Sequence, residues 1–461
     1  MSSGAVHPTD LEPSLVGVRT YATRRRRAYV DVAAVINILI CLLYLLPANQ
    51  IIPQLTVLGR PALLLGMGLF LWWFLARLNP RLVMVGPQPL RWAALAYVVS
   101  MLLSYLAGLL RGLPTLESNR ENFTVLVTFE FLGVMLMVAD GIRNRARLEI
   151  VLKTFVWCAG FMAVVGILQS TIKIDVAGYL TLPGLLQPSS DLAGFELRGF
   201  GGQVRVAGTA THYIEFSTLM AMSVPFAVHC ARFAASRRAK VTFGVIAFLT
   251  TAAVPIAISR TGVVALAGSM VVMLAVGWGW RTRYNLVVAG CVLIGGLVAV
   301  KPGLLGTVRS MFVGTENDPS IQGRTSDYEY VARWFSQRPW LGRGPGTLIP
   351  ATSIVLDNQW LYTLVTLGLV GVVVMAALHL TCIALAAIAM RRATEAADRD
   401  LCAALISVQI VAMLVAATFD SLAFTTFSFT LALMSGMAGA MWRFTHPART
   451  VRTAAPRLLG V

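Results

Sequence analysis

Apolar residues run along this chain in blocks of about twenty, separated by short charged stretches, and the strict two-residue alternation of half-buried strands is absent. A helix needs roughly 20 apolar residues to cross a bilayer. The spacing therefore predicts twelve helices, at about 29–48, 58–76, 92–110, 122–139, 150–170, 213–231, 241–259, 262–280, 284–300, 359–390, 401–419 and 423–442. The tenth block is too long for one straight crossing, so it must tilt, extend or break near Gly368 and Gly371. The expected fold is an all-α polytopic membrane protein, with a single transmembrane domain over 29–442, a disordered polar tail over 1–28 and a second tail over 443–461.

Charge then orients the helices. With Arg24 to Arg27 abutting the first block and no small-residue cleavage site behind it, that block reads as a retained anchor with a cytoplasmic N-terminus. Alternating the loops from there places 25 of the 38 basic residues inside, among them Arg77, Arg91, Arg145, Arg232, Arg391 and Arg443. Both termini are expected in the cytoplasm of a multi-pass plasma (inner) membrane protein. Two external segments are long, 171–212 and 301–358, and loops of that length are uncommon unless they work.

Composition agrees with a membrane protein and removes other classes. The chain is 57% hydrophobic and 13% charged, with a mean hydropathy of +0.73, beyond the range of soluble proteins of this size. Its net charge of +17 is scattered over loops rather than gathered on one folded polar face, which excludes nucleic acid as the expected partner. The 6 cysteines sit singly in apolar segments without a CxxC spacing, so neither a zinc site nor a disulfide framework is indicated.

Candidate chemistry concentrates in Gly323–Gly371. There Tyr330, Val331, Trp334 and Phe335 share one face of a short amphipathic helix, Glu329 and Arg333 the other, and Pro339 stops it. Gly342 to Thr347 (GRGPGT) offers a backbone that can approach a ligand closely, but no Gly-Lys-Ser/Thr follows, so it is not a nucleotide loop. Asp357 precedes the tenth block, where it can be a helix cap or an acid-base group, and Asn358 follows it. In the first long loop Arg198, Arg205, His212 and Glu215 approach helix six. His212 can equally be an interfacial cap and Arg198 a snorkelling anchor. Arg260 stands at the tip between helices seven and eight, where charge is retained mainly for a partner or a task. Glu130, His229, His379 and Asp420 are weaker candidates.

Asp357-Asn358-x-x-Leu361, followed by six residues and Gly368, resembles the signature of the bacterial O-antigen ligase and exopolysaccharide polymerase family. Gly323-Arg324 with Pro339 and Gly342-x-Gly344 is similar to that family's large external loop, and Arg205 with Gly208 and the Ser259-Arg260-Thr261-Gly262 tip resemble its other arginine-bearing elements. The chain departs from the ligase form by carrying aspartate where a ligase shows histidine. The resemblance implies a GT-C-like glycosyltransferase architecture with short amphipathic helices in its two long external loops. It also implies a polyprenyl-diphosphate-linked glycan donor, a glycan acceptor, surrounding membrane lipids and other polysaccharide-assembly proteins as partners.

On that reading Arg260 and Arg324 with Asp357 are catalytic, while Arg205, Arg198, His212, Glu215 and Asn358 bind substrate. Guanidinium forks suit a diphosphate, and a carboxylate can accept the proton of an attacking hydroxyl. No cofactor and no metal are expected, the arginines serving as electrophile, and Asp357 is expected to be partly buried beneath Trp360 or Trp340. Polymerase and ligase remain open, with polymerase favoured. A secondary transporter or exporter and a non-catalytic flippase or scaffold are the rival classes, although the unequal external loops lack the repeat symmetry of many transporters.

Overall fold

The computed structural model describes residues 30–78, 87–180, 186–188, 198–200, 203–277, 279–300, 303, 306, 319–349 and 353–447. Both tails expected from the sequence lie almost wholly outside these. Thirteen helices occur among the described residues: α1 (Val32–Tyr44), α2 (Pro61–Arg77), α3 (Pro89–Leu110), α4 (Thr115–Gly141), α5 (Arg145–Ile172), α6 (Tyr213–Phe233), α7 (Arg237–Ile256), α8 (Arg260–Val272), α9 (Trp280–Val300), α10 (Pro319–Gln337), α11 (Gln359–Arg392), α12 (Ala396–Val415) and α13 (Thr425–Phe444).

Local chemistry starts many of them. Asn144, Ser236 and Ser259 accept from the backbone N–H of Arg147, Ala239 and Gly262 at the starts of α5, α7 and α8. Pro61 and Pro89 stand in the first turns of α2 and α3, where a missing N–H costs nothing. Two short antiparallel pairs complete the fold: β1 (Gln50–Ile51) with β2 (Gln187–Pro188), and β3 (Arg198–Phe200) with β4 (Gln203–Arg205).

Each of the twelve predicted blocks falls on a helix. Seven helices, namely α3 to α7, α8 with the π turn that follows it, and α11, are long and apolar enough to cross a membrane. At 13 and 17 residues, α1 and α2 are shorter apolar helices. The thirteenth helix, α10, is the amphipathic one expected in the second long loop. Val331 is buried on it while Glu329 and Arg333 are exposed. Among the described residues the first long loop holds instead a 3-10 turn, Val176–Tyr179, the β3–β4 pair, and β2, which pairs with β1 from outside the loop.

The core is built on α6 and α13, whose side chains are buried almost throughout. Around α13 lie α4, α11 and α12, and α6 packs against α7, α8 and α12. At the periphery α9 touches α7 and is largely exposed, as a lipid-facing helix would be.

One end of the bundle is tied by arginine–aspartate pairs. Asp140 receives Arg77, Nη2 and Nε of Arg91 at 2.8 and 2.9 Å, and Trp73 Nε1 at 2.9 Å. Asp400 receives Arg232 and sits 2.8 Å from His229 Nδ1, while Arg145 bonds Asp398 at 2.7 Å. Arg443 reaches the Asp140 and Ile142 carbonyls. These are arginines that alternation of the loops assigns to one side, and the fold gathers them at one end with their counter-charges. Buried charge survives there because it is paired and hydrogen-bonded.

The break in α11 positions the opposite end. Gly368 has φ +69° inside the helix, so the long tenth block breaks where the sequence allowed it to. A break frees backbone groups that an apolar surrounding cannot satisfy. Residues 339–344 satisfy them: Arg343 and Gly344 N–H donate to Val365 and Thr366 carbonyls at 2.9 and 3.0 Å, and Leu369 and Val370 N–H donate to Pro339 and Trp340 carbonyls at 2.8 and 3.2 Å. Two glycines make this contact possible. A Cβ on Gly342 would come within 2.4 Å of the Thr366 carbonyl, and one on Gly368 within 2.3 Å of the Trp340 carbonyl. The sequence suggested that this loop approaches a ligand; its first close approach is to the chain's own broken helix.

Candidate active site

Beside that patched break lies a cavity of about 380 Å³ between α3, α4, α11 and α13. It opens at the end that carries Arg60, Arg120 and Asp420 and reaches down to His379 and Ser435. Thr425 and Ser435, both lining it, are ten residues apart on α13, which makes the cavity about 15 Å deep at 1.5 Å per residue. Most of the wall is apolar, with Met101, Phe131, Leu356, Leu367, Met375 and Leu431 among its residues. Pro345 and Gly346 supply part of the rim, so the loop that closes the helix break also walls the cavity.

Three charged groups stand at the mouth. Arg60 ends the 3-10 turn before α2 and donates to Thr425 Oγ1 at the start of α13, which fixes its guanidinium across the opening. Its Nε makes no hydrogen bond among the described residues. Arg120 is exposed on the second turn of α4.

Asp420 occupies the turn between α12 and α13, half-buried. Burial pushes its carboxyl up to about 7, and the negative charge of Asp357 pushes the same way. A carboxyl poised near neutrality on a cavity that two guanidinium groups also line has the character of a general acid-base group.

The sequence-predicted residues are placed around this cavity rather than on its wall. Asp357 is exposed, not covered by Trp360 or Trp340 as expected, because the residues that bury the segment are its neighbours Leu356 and Gln359. Nor does it cap α11. Asn358 takes that role, its Oδ1 accepting from Leu361 N at 3.1 Å while Nδ2 donates to the Ala417 carbonyl at 3.2 Å. Gln359 extends the tie: its N–H donates to the Ala416 carbonyl at 2.7 Å and its Oε1 accepts from Leu422 N at 2.9 Å. Together they clamp the turn that presents Asp420.

Glu215 is fully buried and committed, accepting from Thr211 N and Oγ1 at 3.0 and 2.7 Å and from Phe427 N at 3.1 Å. It joins α6 to the start of α13, next to the Arg60 anchor on Thr425. His212 caps α6, its Nδ1 accepting from Ile214 N, and its ring lies 4.1 Å from that of Tyr213 and 6.0 Å from that of Phe424. Arg205 donates to the Tyr213 hydroxyl at 2.7 Å and lies 4.6 Å over its ring. Gly208, at φ +61°, is held to Gln169 through both its N–H and its carbonyl, at 2.8 and 3.0 Å.

Arg260 is half-buried at the first position of α8, whose Gly262 lies against Ser217 in the first turn of α6. Two residues earlier Ile258 adopts φ +53° while 2% exposed, a strained conformation for a β-branched residue and one that recurs where a side chain must be aimed. Arg324 falls on α10 and Arg198 on β3, and their side chains lie outside the described residues.

None of the eight predicted residues lines the cavity among the described residues; Asp357 and Asn358 stand between two that do. Arg60 and Arg120 escaped sequence reasoning because each sits alone outside a motif. Their places, just before α2 and on the second turn of α4, were the one available signal. Among the described residues no cluster of three metal-ligating side chains occurs.

The fold and cavity define a polytopic helical membrane protein with a cationic, acid-bearing cavity at one end of its bundle. Residues 245–376 match the family model described as O-Antigen ligase, from the second half of α7 through the break in α11, which supports an O-antigen ligase-like, membrane glycan-transferring enzyme. Arg260, Arg324, Asp357 and Asn358 fall inside the matched stretch; Arg60, Arg120 and Asp420 fall outside it. No curated protein matches the chain.

Proposed function

We propose that the protein is a polymerase of surface polysaccharide that transfers a glycan from a polyprenyl-diphosphate donor to a sugar hydroxyl at the outer face of the plasma membrane. The supporting observation is one cavity that combines two arginines and a near-neutral carboxyl at its mouth with a mostly apolar interior. The apolar wall suits the first isoprene units and the guanidinium groups suit the diphosphate.

In the proposed step, the acceptor oxygen bonds to the anomeric carbon as the bond from that carbon to the phosphate oxygen breaks. The electron pair leaves with the polyprenyl diphosphate, and the hydroxyl proton passes to Asp420. Arg60 and Arg120 stabilise the charge that builds on the departing phosphate, the part a metal plays in other transferases. Arg205, Arg260 and Arg324 are then assigned to the glycan or the acceptor's own phosphates. The match to the O-Antigen ligase family keeps transfer to a different acceptor, the ligase reaction, as the second reading.

The test is transfer by purified protein in lipid nanodiscs supplied with a lipid-diphosphate oligosaccharide. The proposal expects a ladder of polymer from the wild type and roughly 10²–10⁴-fold less from a well-folded Asp420→Asn protein, the usual worth of general-base assistance. A single addition to a foreign acceptor would replace polymerase by ligase. Movement of donor across the membrane with no new glycosidic bond would refute transfer altogether.

A further inference from the structure

The loop that walls the cavity is held by a residue that neither lines the cavity nor carries a catalytic role in the reading above. Arg343 is 8% exposed. Its guanidinium carbon lies 3.6 Å from the centroid of the Trp334 ring on α10, and its Nη2 lies 3.3 Å from Glu117 Oε1 on the first turn of α4. Glu117 is shared, since Arg111 at the end of α3 reaches its other oxygen at 2.8 Å. The Arg343 backbone N–H meanwhile donates to Val365 in the broken helix. One residue thus connects α4, α10 and α11.

What α10 itself rests on is thin. Its buried contacts form a small cluster apart from the main core, in which Val331 packs with Leu348, Leu356 and Val365 and Trp334 lies at the edge. Leu348 and Leu356 also line the cavity. The seat of α10 and the cavity wall are therefore the same residues seen from two sides, and a shift of α10 is a shift of the wall.

We propose that Arg343 is a positioning residue that sets this wall, and with it the fit of the donor, by clamping Trp334 and Glu117 at once. The clamp rests on the transferase reading only for its effect on donor; its effect on α10 does not. Two properties of arginine are required together, the flat face for the indole and the charge for the carboxylate, so lysine supplies only half. Gly344 and Gly346, at φ +119° and +73°, press so closely on α4 that a Cβ would fall 2.3 Å from Glu121 Oε1 and 2.1 Å from Thr124 Oγ1. The wall has no slack to absorb a displaced residue 343.

The test uses the full chain in nanodiscs, with Cys291→Ser removing the exposed thiol and Val331→Cys as reporter, a position 5% exposed beneath α10. Reaction of that thiol with a soluble maleimide is expected to be slow in the parent. Arg343→Gln should speed it roughly tenfold or more and Arg343→Lys by less, with Trp334→Leu, which keeps the apolar bulk, resembling Arg343→Gln. In transfer assays the same variants should raise donor KM roughly ten- to a hundredfold while kcat holds, the mark of lost ground-state fit rather than lost chemistry. Labelling at 331 that stays at the parent rate in both Arg343→Gln and Trp334→Leu overturns the clamp, as does a fall in kcat with donor KM unchanged. Faster labelling in a protein whose parent shows no glycan transfer would sustain the clamp while removing the functional reading beneath it.

Discussion

Replacing Asp357 by asparagine separates the acid that the sequence singles out from the acid that the cavity presents. Asp357 is exposed and does not reach the cavity wall, whereas Asp420 does, and the two interact through charge. Asp420 stands at about 7 against an ordinary 3.8, with burial the larger cause and Asp357 the next. Asp357 therefore supplies less than half of the upward push, and since it is exposed to screening solvent its share is on the order of one pH unit at most.

The sign follows directly. Without the negative charge at 357 the Asp420 carboxyl ionises more easily, so the acid limb of kcat/KM against pH should move down by up to about one unit. If the midpoint falls from about 7 to about 6, the ionised fraction at pH 6 rises from about a tenth to about a half, and Asp357→Asn should be up to about fivefold faster than wild type there while matching it above pH 8. The assay is initial rates of glycan transfer between pH 5 and 9, repeated at 0.05 and 0.5 M salt. Screening should shrink the difference at high salt. A loss of roughly 10²–10⁴ at every pH would instead make Asp357 the base and end the case for Asp420.

Three further outcomes follow from the same geometry. Because the folded state holds the Asp420 proton more tightly than the unfolded chain, stability should fall as pH rises from about 4 through about 7; thermal unfolding in nanodiscs should show that slope in wild type and a flatter one in Asp420→Asn. Gly342→Ala and Gly368→Ala each push a methyl into a backbone carbonyl 2.3–2.4 Å away, so both should cost about 2–4 kcal/mol, read as a lowered unfolding temperature, whereas Gly68→Ala, which meets nothing within 4 Å, should be close to neutral. Arg60→Lys and Arg120→Lys keep the charge but lose the fork, so transfer should drop at least tenfold if these groups grip a diphosphate, and unchanged rates in both would remove them from the site.

The helical fold was legible because membrane crossing imposes a long, one-dimensional hydrophobic signal; the length of the tenth block left tilt, extension and a break open, and only the structure selects the break, at Gly368. The pairing of Arg77 and Arg91 with Asp140 was half legible: loop alternation put the arginines on one side, but nothing local says that a single aspartate at the end of α4 collects them. The cavity was hidden for the same reason. Arg60, Arg120 and Asp420 come from three distant parts of the chain, each with an unremarkable local sequence, and only packing of α2, α4 and α13 brings them to one opening. The motif-bearing residues drew attention because their spacing is compact, and compact spacing reports on a turn as readily as on a site.

That distinction explains the Asp357-Asn358-Gln359 run physically. Asn358 and Gln359 spend their side chains and one backbone N–H on Ala416, Ala417 and Leu422, on either side of Asp420. A turn clamped this way holds the backbone that presents Asp420 against the cavity, and a half-buried carboxyl is what moves toward neutrality. Asp357, one residue outside the clamp, adds like charge without competing for the cavity. A cation at that position would act oppositely, drawing Asp420 back toward an ordinary carboxylate. Histidine there would do so as pH falls below its own titration, holding Asp420 ionised to lower pH, so Asp357→His should flatten the acid limb rather than simply shift it.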